Sequence, residues 1–185
     1  LGIADMGCGD GTLLKHLHEI ILTKTLRGKH LEQYPIKIIG ADFNKAARIA
    51  SNLTLKEAGI PHSILSGDIS DPQSYANQLK DKFDFDVKKM LNVRSFLDHN
   101  RIYTKPMNIQ HDRTCKSTGA FSYRGRWIPN KELKQNLIEH FSAWKTHVSH
   151  FGLLILELHT IDPDLASKHI GSTIATAYDG THGYS

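Results

Sequence analysis

A chain of 185 residues, 39% hydrophobic and 23% charged, is long enough for one α/β domain with a sizeable core and too short for two. Its formal charge of +4 comes from basic residues scattered along the sequence and not clustered beside aromatics, so no nucleic-acid footprint is present. Two cysteines, Cys8 and Cys115, cannot build a disulfide framework and fit a reducing cytoplasm, and no apolar run reaches the roughly 18 residues of a membrane helix.

The chain opens with "LGIADM", an apolar run over 1–6 that predicts a buried parallel strand. "GTLLKHLHEIILTKTL" follows with Leu13, Leu14, Leu17, Ile20 and Ile21 at helical spacing, completing a first strand-helix unit. "IKIIGAD" (36–42) predicts a second strand, "NKAARIASNLTLKEAG" a second helix stopped by Gly59 and Pro61, and "HSILSGD" a short third strand. "DPQSYANQLKDKF" reads as a helix with Asp71 at the N-cap and Pro72 at the first helical position. "FDFDVKKMLNV" (83–93) is expected as the fourth strand, although Lys88 and Lys89 interrupt its apolar pattern.

From Arg101 to Pro129 periodicity is lost over a polar stretch, which predicts a binding loop or lid over 101–129. "NKELKQNLIEHFSAWKTHVSHFG" restores the helical period, with Asn130 as its expected cap, and the strongly apolar "GLLILELHT" predicts a strand central to the sheet. Strands alternating with helices imply a doubly wound, mostly parallel, Rossmann-like α/β sheet, because parallel strands need crossovers and those cover both faces. The chain begins on a core strand and stops at "YDGTHGYS" without a closing one, so a piece of a longer polypeptide is expected.

In such a sheet the first strand-to-helix turn faces the ligand crevice. Here that turn is Gly7-Cys8-Gly9-Asp10-Gly11, entered from Asp5. A dinucleotide would bring its pyrophosphate to the helix N-terminus and wants G-x-G-x-x-G spacing, whereas Asp5 and Asp10 would repel it. Those carboxylates favour a cationic ligand. The stretch resembles the first motif of the class I methyltransferases, whose D-x-G-x-G-x-G turn wraps the methionine and ribose portions of S-adenosylmethionine.

Two more strand-end acids support that resemblance. Asp42, with Phe43 beside it, stands where ribose hydroxyls can donate to a carboxylate, and Asp68 stands where the adenine amino group can donate, with Ile69 to pack on the ring. The competing reading is that Asp42 and Asp68 only cap the following helices. Asp42 follows Gly11 by 31 residues (42 minus 11), more than the dinucleotide pattern expects, because "RGKHLEQYP" precedes the second strand. Such surface insertions cost little.

"MLNVRSFLDHNRIY", "GAFSYRGRWIPNKELKQNLIEHFSAW", "LLILELHT" and "YDGTHGYS" resemble the C-methyltransferase domains of polyketide synthases, particularly the loading modules of the apratoxin type. The resemblance covers nearly the whole chain, treated as one methyltransferase core over 1–185. It implies carbon methylation of a malonyl or other acyl group carried through phosphopantetheine on an acyl carrier protein. Neighbouring synthase domains would be the further partners, and some members use iron or manganese. It also implies that an N-terminal helical lid and the last strands of the domain lie outside this sequence. Asn92 and Arg94 match the region that approaches the methionine portion and the acceptor.

Methyl transfer to carbon is an in-line displacement that needs an aligned, anionic carbon. His99 and His159, each following a predicted strand, are candidates for a general base or for metal ligands, and His182 in the terminal loop is a third metal candidate. With 12 histidines in the chain, the ordinary reading of any one is a surface residue. Arg94 and Arg101 offer guanidinium groups to a malonyl carboxylate or a phosphate. The alternatives are a methyltransferase with a small-molecule or protein acceptor, an NAD(P)-dependent oxidoreductase, and a degenerate scaffold domain.

Overall fold

The computed structural model describes residues 1–98, 101–108, 114–116, 121–157, 163–169 and 172. The chain divides into two units, Leu1–Leu97 with Trp144–Leu156, and Asp98–Ala143 with Glu157–Ser185.

The first unit begins with β1 (Gly2–Met6), α1 (Thr12–Lys24), β2 (Lys37–Asp42), α2 (Lys45–Glu57), β3 (His62–Ser66), α3 (Pro72–Phe83) and β4 (Met90–Ser95). The local signals act where expected: the Asp71 carboxylate caps α3 by accepting from the Ser74 N–H at 2.9 Å, with Pro72 opening the helix. β4 begins later than the apolar pattern suggested, because Val87–Lys89 form a 3-10 turn capped by the Asp86 carboxylate, which accepts from the Lys88 N–H. That turn takes the two lysines out of the strand.

The second unit holds an antiparallel hairpin, β5 (Phe121–Tyr123) with β6 (Arg126–Ile128), inside the stretch expected to be irregular. Its two-residue turn places Arg124 at φ 50° and Gly125 at φ 73°, the left-handed pair that matches the twist of a tight hairpin. Helix α4 (Asn130–Val148) starts at Asn130 itself, and the Pro129 carbonyl accepts from the N–H groups of Glu132 and Leu133. The helix runs from the second unit into the first, which it enters at Trp144. β7 (Leu153–Leu156) belongs to the first unit, and α5 (Pro163–Lys168) to the second.

Five parallel strands form the main sheet in the order β3-β2-β1-β4-β7. β1 is buried along its whole length, as a strand covered on both faces must be. One face packs with α1 and α2 around Leu14, Leu55, Ile3, Ile38 and Val93; the other packs with α3 and the end of α4 around Tyr75, Leu79, Met6, Met90 and Trp144. This is the doubly wound α/β architecture.

Among the described residues the apolar run over 153–156 pairs with β4 and with no second strand, and Leu154, Ile155 and Leu156 are exposed. The cause is topological: β2 and β4 already occupy both sides of β1, so a strand arriving after β4 pairs with β4's open side. Among the described residues no helix is long and apolar enough to cross a membrane.

Candidate functional site

Strand order reverses at β1, whose neighbours β2 and β4 receive the chain from opposite directions, so the crevice opens beyond the carboxyl end of β1. There Gly7, Gly9 and Gly11 adopt φ of 102°, 52° and 81°, conformations that a side chain disfavours. The N–H groups of Gly7 and Cys8 both donate to the Ala41 carbonyl, at 2.7 and 3.0 Å, which ties the turn to β2. A Cβ on Gly7 would lie 2.5 Å from Leu97 Cδ2, and one on Gly11 would lie 3.0 Å from Ser51 Cα. Among the described residues a Cβ on Gly9 would meet nothing within 4 Å, so the middle of the turn faces open space there.

The strand-end acids gather around this turn. Asp42 Oδ2 accepts from the Gly9 N–H at 3.1 Å, and its Oδ1 accepts from the Asn44 N–H at 2.7 Å. Asn44 is the residue that caps α2, accepting from the Ala46 N–H, and Asp71 caps α3. Asp42 and Asp68 are therefore not the helix caps of the competing reading. Asp68 is exposed and its Oδ1 accepts from the Ser70 N–H at 2.8 Å. Asp10, also exposed, accepts from the Thr12 N–H at 3.0 Å, and that bond holds its carboxyl below the usual carboxylate range.

Asp5 is enclosed to 1% exposure, on the same sheet face as Asp42, and its Oδ1 has no hydrogen-bond partner among the described residues. Burial, with the neighbouring Asp42 charge adding to it, pushes its pKa up to about 7. A buried acid with an open lone pair, beside a second acid and the open space at Gly9, suits a ligand that brings positive charge.

Other expected contacts are placed differently. The Cys8 side chain turns into the core, where a Cβ on Gly40 would lie 2.9 Å from its Sγ, so only its backbone belongs to the turn. Ile69 is buried in the core on the α3 side, and its carbonyl accepts from Trp144 Nε1 at 2.7 Å. Phe43, at 74% exposure, is the aromatic left free at the end of β2. Asn92 is fully buried, its amide donating to the Met90 carbonyl at 3.2 Å, and Arg94 is fully buried with its guanidinium 5.0 Å from the centre of the Trp144 ring. Local spacing sets strand ends; it does not set which way a strand residue faces.

Burial pushes the Cys8 thiol up to about 11. Iodoacetamide at pH 8 is therefore expected to label Cys115, which is half-buried, and to spare Cys8 until the protein is unfolded. Peptide mass mapping checks this, and rapid native labelling of Cys8 would place the thiol outside the core.

In the second unit, buried Arg101 donates through Nη2 to Asn136 Oδ1 at 2.9 Å and through Nε to the Asp98 carbonyl at 3.1 Å. Tyr103 bonds Glu132, and Glu139 accepts from the N–H groups of Met107 and Asn108 at 3.0 and 3.1 Å. His140 and Asp98 form a buried pair at 2.9 Å, which the sequence does not reveal because the partners stand 42 positions apart. The only sequence signal is helical spacing, which puts Asn136 and His140 on one face of α4. Arg101 is thus engaged within its own unit.

His99, His159 and His182 lie outside the described residues. Among the described residues no three His, Cys, Asp or Glu side chains converge as metal ligands. The family described as the AprA MT2-like domain matches residues 1–185, and the chain belongs to that methyltransferase family. No curated protein matches it.

Proposed function

We propose that this methyltransferase domain uses S-adenosylmethionine and methylates the α-carbon of an acyl group carried on an acyl carrier protein during polyketide assembly. The observation that supports the cofactor is the set formed by the open cradle at Gly9, the partnerless Oδ1 of buried Asp5, and Asp42 facing the same turn. The residues present fit that molecule and no dianionic one. When bound, S-adenosylmethionine supplies an electrophilic methyl group on a sulfonium.

Asp5 provides negative charge for the cationic methionine end, and Asp42 retains lone pairs for the ribose hydroxyls beyond the two N–H groups it already holds. Asp68 and exposed Phe43 offer an acceptor and a ring face to the adenine. Carbon methylation also requires a proton to leave the acceptor, and His99 and His159 are the side chains the sequence provides for that step, as base or through a metal such as iron or manganese. The family's name suggests the polyketide context, and the carrier-bound acceptor rests on the resemblance of the stretches around 90–103, 119–144, 153–160 and 178–185.

The test is intact mass measurement of malonyl-loaded carrier protein after incubation with this domain and the methyl donor. Mass gain on the acyl group is expected, and its absence alongside methylation of a free small molecule or of another protein would replace the carrier reading. Repeating the assay with a chelator separates the two histidine mechanisms: loss restored by iron or manganese indicates a metal, and indifference indicates a metal-free base. Titration with S-adenosylhomocysteine and with NADH is expected to raise the melting temperature for the first alone.

Gly9→Val is expected to fold, with strain of about 1–3 kcal/mol for a side chain in the left-handed region, because its Cβ meets no atom of the described residues within 4 Å. It should lose cofactor binding. Calorimetric titration checks this, and unchanged affinity would mean that the open space at Gly9 is not where the ligand sits.

A further inference from the structure

Phe96 combines two unfavourable properties directly after β4. Its φ is 54°, a conformation that a bulky L-residue rarely adopts, and the residue is 57% exposed. Packing among the described residues accounts for the backbone there and not for an exposed aromatic upon it.

The backbone around it is fixed from both sides. The Phe96 N–H donates to the Leu156 carbonyl at 2.8 Å, extending the β4–β7 pairing by one residue. The next residue, Leu97, lies over Gly7, so close that a Cβ on Gly7 would come within 2.5 Å of it. With both held, the chain bends at position 96 and the residue there is left exposed. Glycine would make that turn without strain, yet the position holds a large aromatic. Strain that persists at a crevice is a pointer to function.

Its place in the sheet indicates what the ring meets. Asp5 and Asp42 occupy β1 and β2, and Asp68 follows β3, so the polar ligand's groups lie on one side of the glycine turn. β4 adjoins β1 on the other side. We propose that Phe96 is a specificity-determining residue for the acceptor, its exposed ring forming an apolar wall against which the acyl chain packs beside the cofactor turn. The inference rests on the reading given under Proposed function. An apolar wall at this point suits an acyl thioester and excludes water from a carbon nucleophile.

The test uses the whole chain saturated with S-adenosylhomocysteine, titrated calorimetrically with S-propionyl-pantetheine. Phe96→Ala is expected to weaken thioester binding about tenfold, the scale of losing a substantial apolar contact, while the affinity for S-adenosylhomocysteine changes less than twofold. Phe96→Gly is expected to bind the thioester as weakly as the alanine variant but to melt about 2–4 °C above it, because it alone relieves the left-handed strain. Undiminished thioester binding by Phe96→Ala overturns the proposal, as does a wild-type protein that binds S-adenosylhomocysteine and no thioester. A wild-type protein that binds no S-adenosylhomocysteine removes the cofactor reading itself, a separately visible failure.

Discussion

Asp42→Ala is expected to weaken binding of S-adenosylmethionine by more than tenfold. A charge-assisted acceptor facing partly desolvated hydroxyls contributes about 1.5–3 kcal/mol, and 1.4 kcal/mol is already a factor of ten. The structure adds a second reason: Asp42 Oδ2 holds the Gly9 N–H at 3.1 Å, so its removal also frees the middle of the cofactor turn. Asp42→Asn keeps one oxygen acceptor and should fall between the alanine variant and the native protein. Isothermal titration of the three proteins checks the order, and an unchanged affinity in the alanine variant would remove Asp42 from the site.

Asp5→Asn is expected to abolish a large part of the protein's pH-dependent stability. In the folded state Asp5 keeps its proton up to about pH 7, against an ordinary value of 3.8. The folded form therefore binds more protons across that interval, so stability falls as pH rises from about 4 to about 7 and is level above it. The rise corresponds to about 4 kcal/mol, on the order of 10 °C in melting temperature for a chain of this size. Asparagine carries no charge into the same burial, so at pH 8 the variant should melt above the native protein. The gain will be less than the full figure because the new amide N–H needs a partner of its own.

Melting curves of both proteins between pH 4 and 8 provide the check. A difference between them that does not change with pH would show that Asp5 is not the titrating group. A bound cation favours the Asp5 carboxylate, so the stabilisation by S-adenosylmethionine in the native protein should grow as pH passes through about 7, and should not in the variant.

The alternation of strands and helices, the glycines of the turn, and the acids Asp5, Asp42 and Asp68 at successive strand ends are legible in the residues alone. These follow from short-range physics: hydrophobic period, helix caps such as Asp71, and backbone conformations that glycine alone adopts freely. Which strands are neighbours and which way each side chain faces come from the packing of the whole chain. The apolar run at 153–156 pairs with β4, because β2 and β4 already flank β1. Cys8, Ile69, Asn92 and Arg94 stand at the expected places in the chain, yet their side chains went to the core because the helices covering each sheet face required apolar or enclosed partners there. The hairpin at 121–128 and the Asp98–His140 pair were equally illegible, since the first depends on Arg124 accepting a left-handed conformation and the second on two residues 42 positions apart being brought together. Long-range pairing is a property of the packed chain, and no local pattern encodes it.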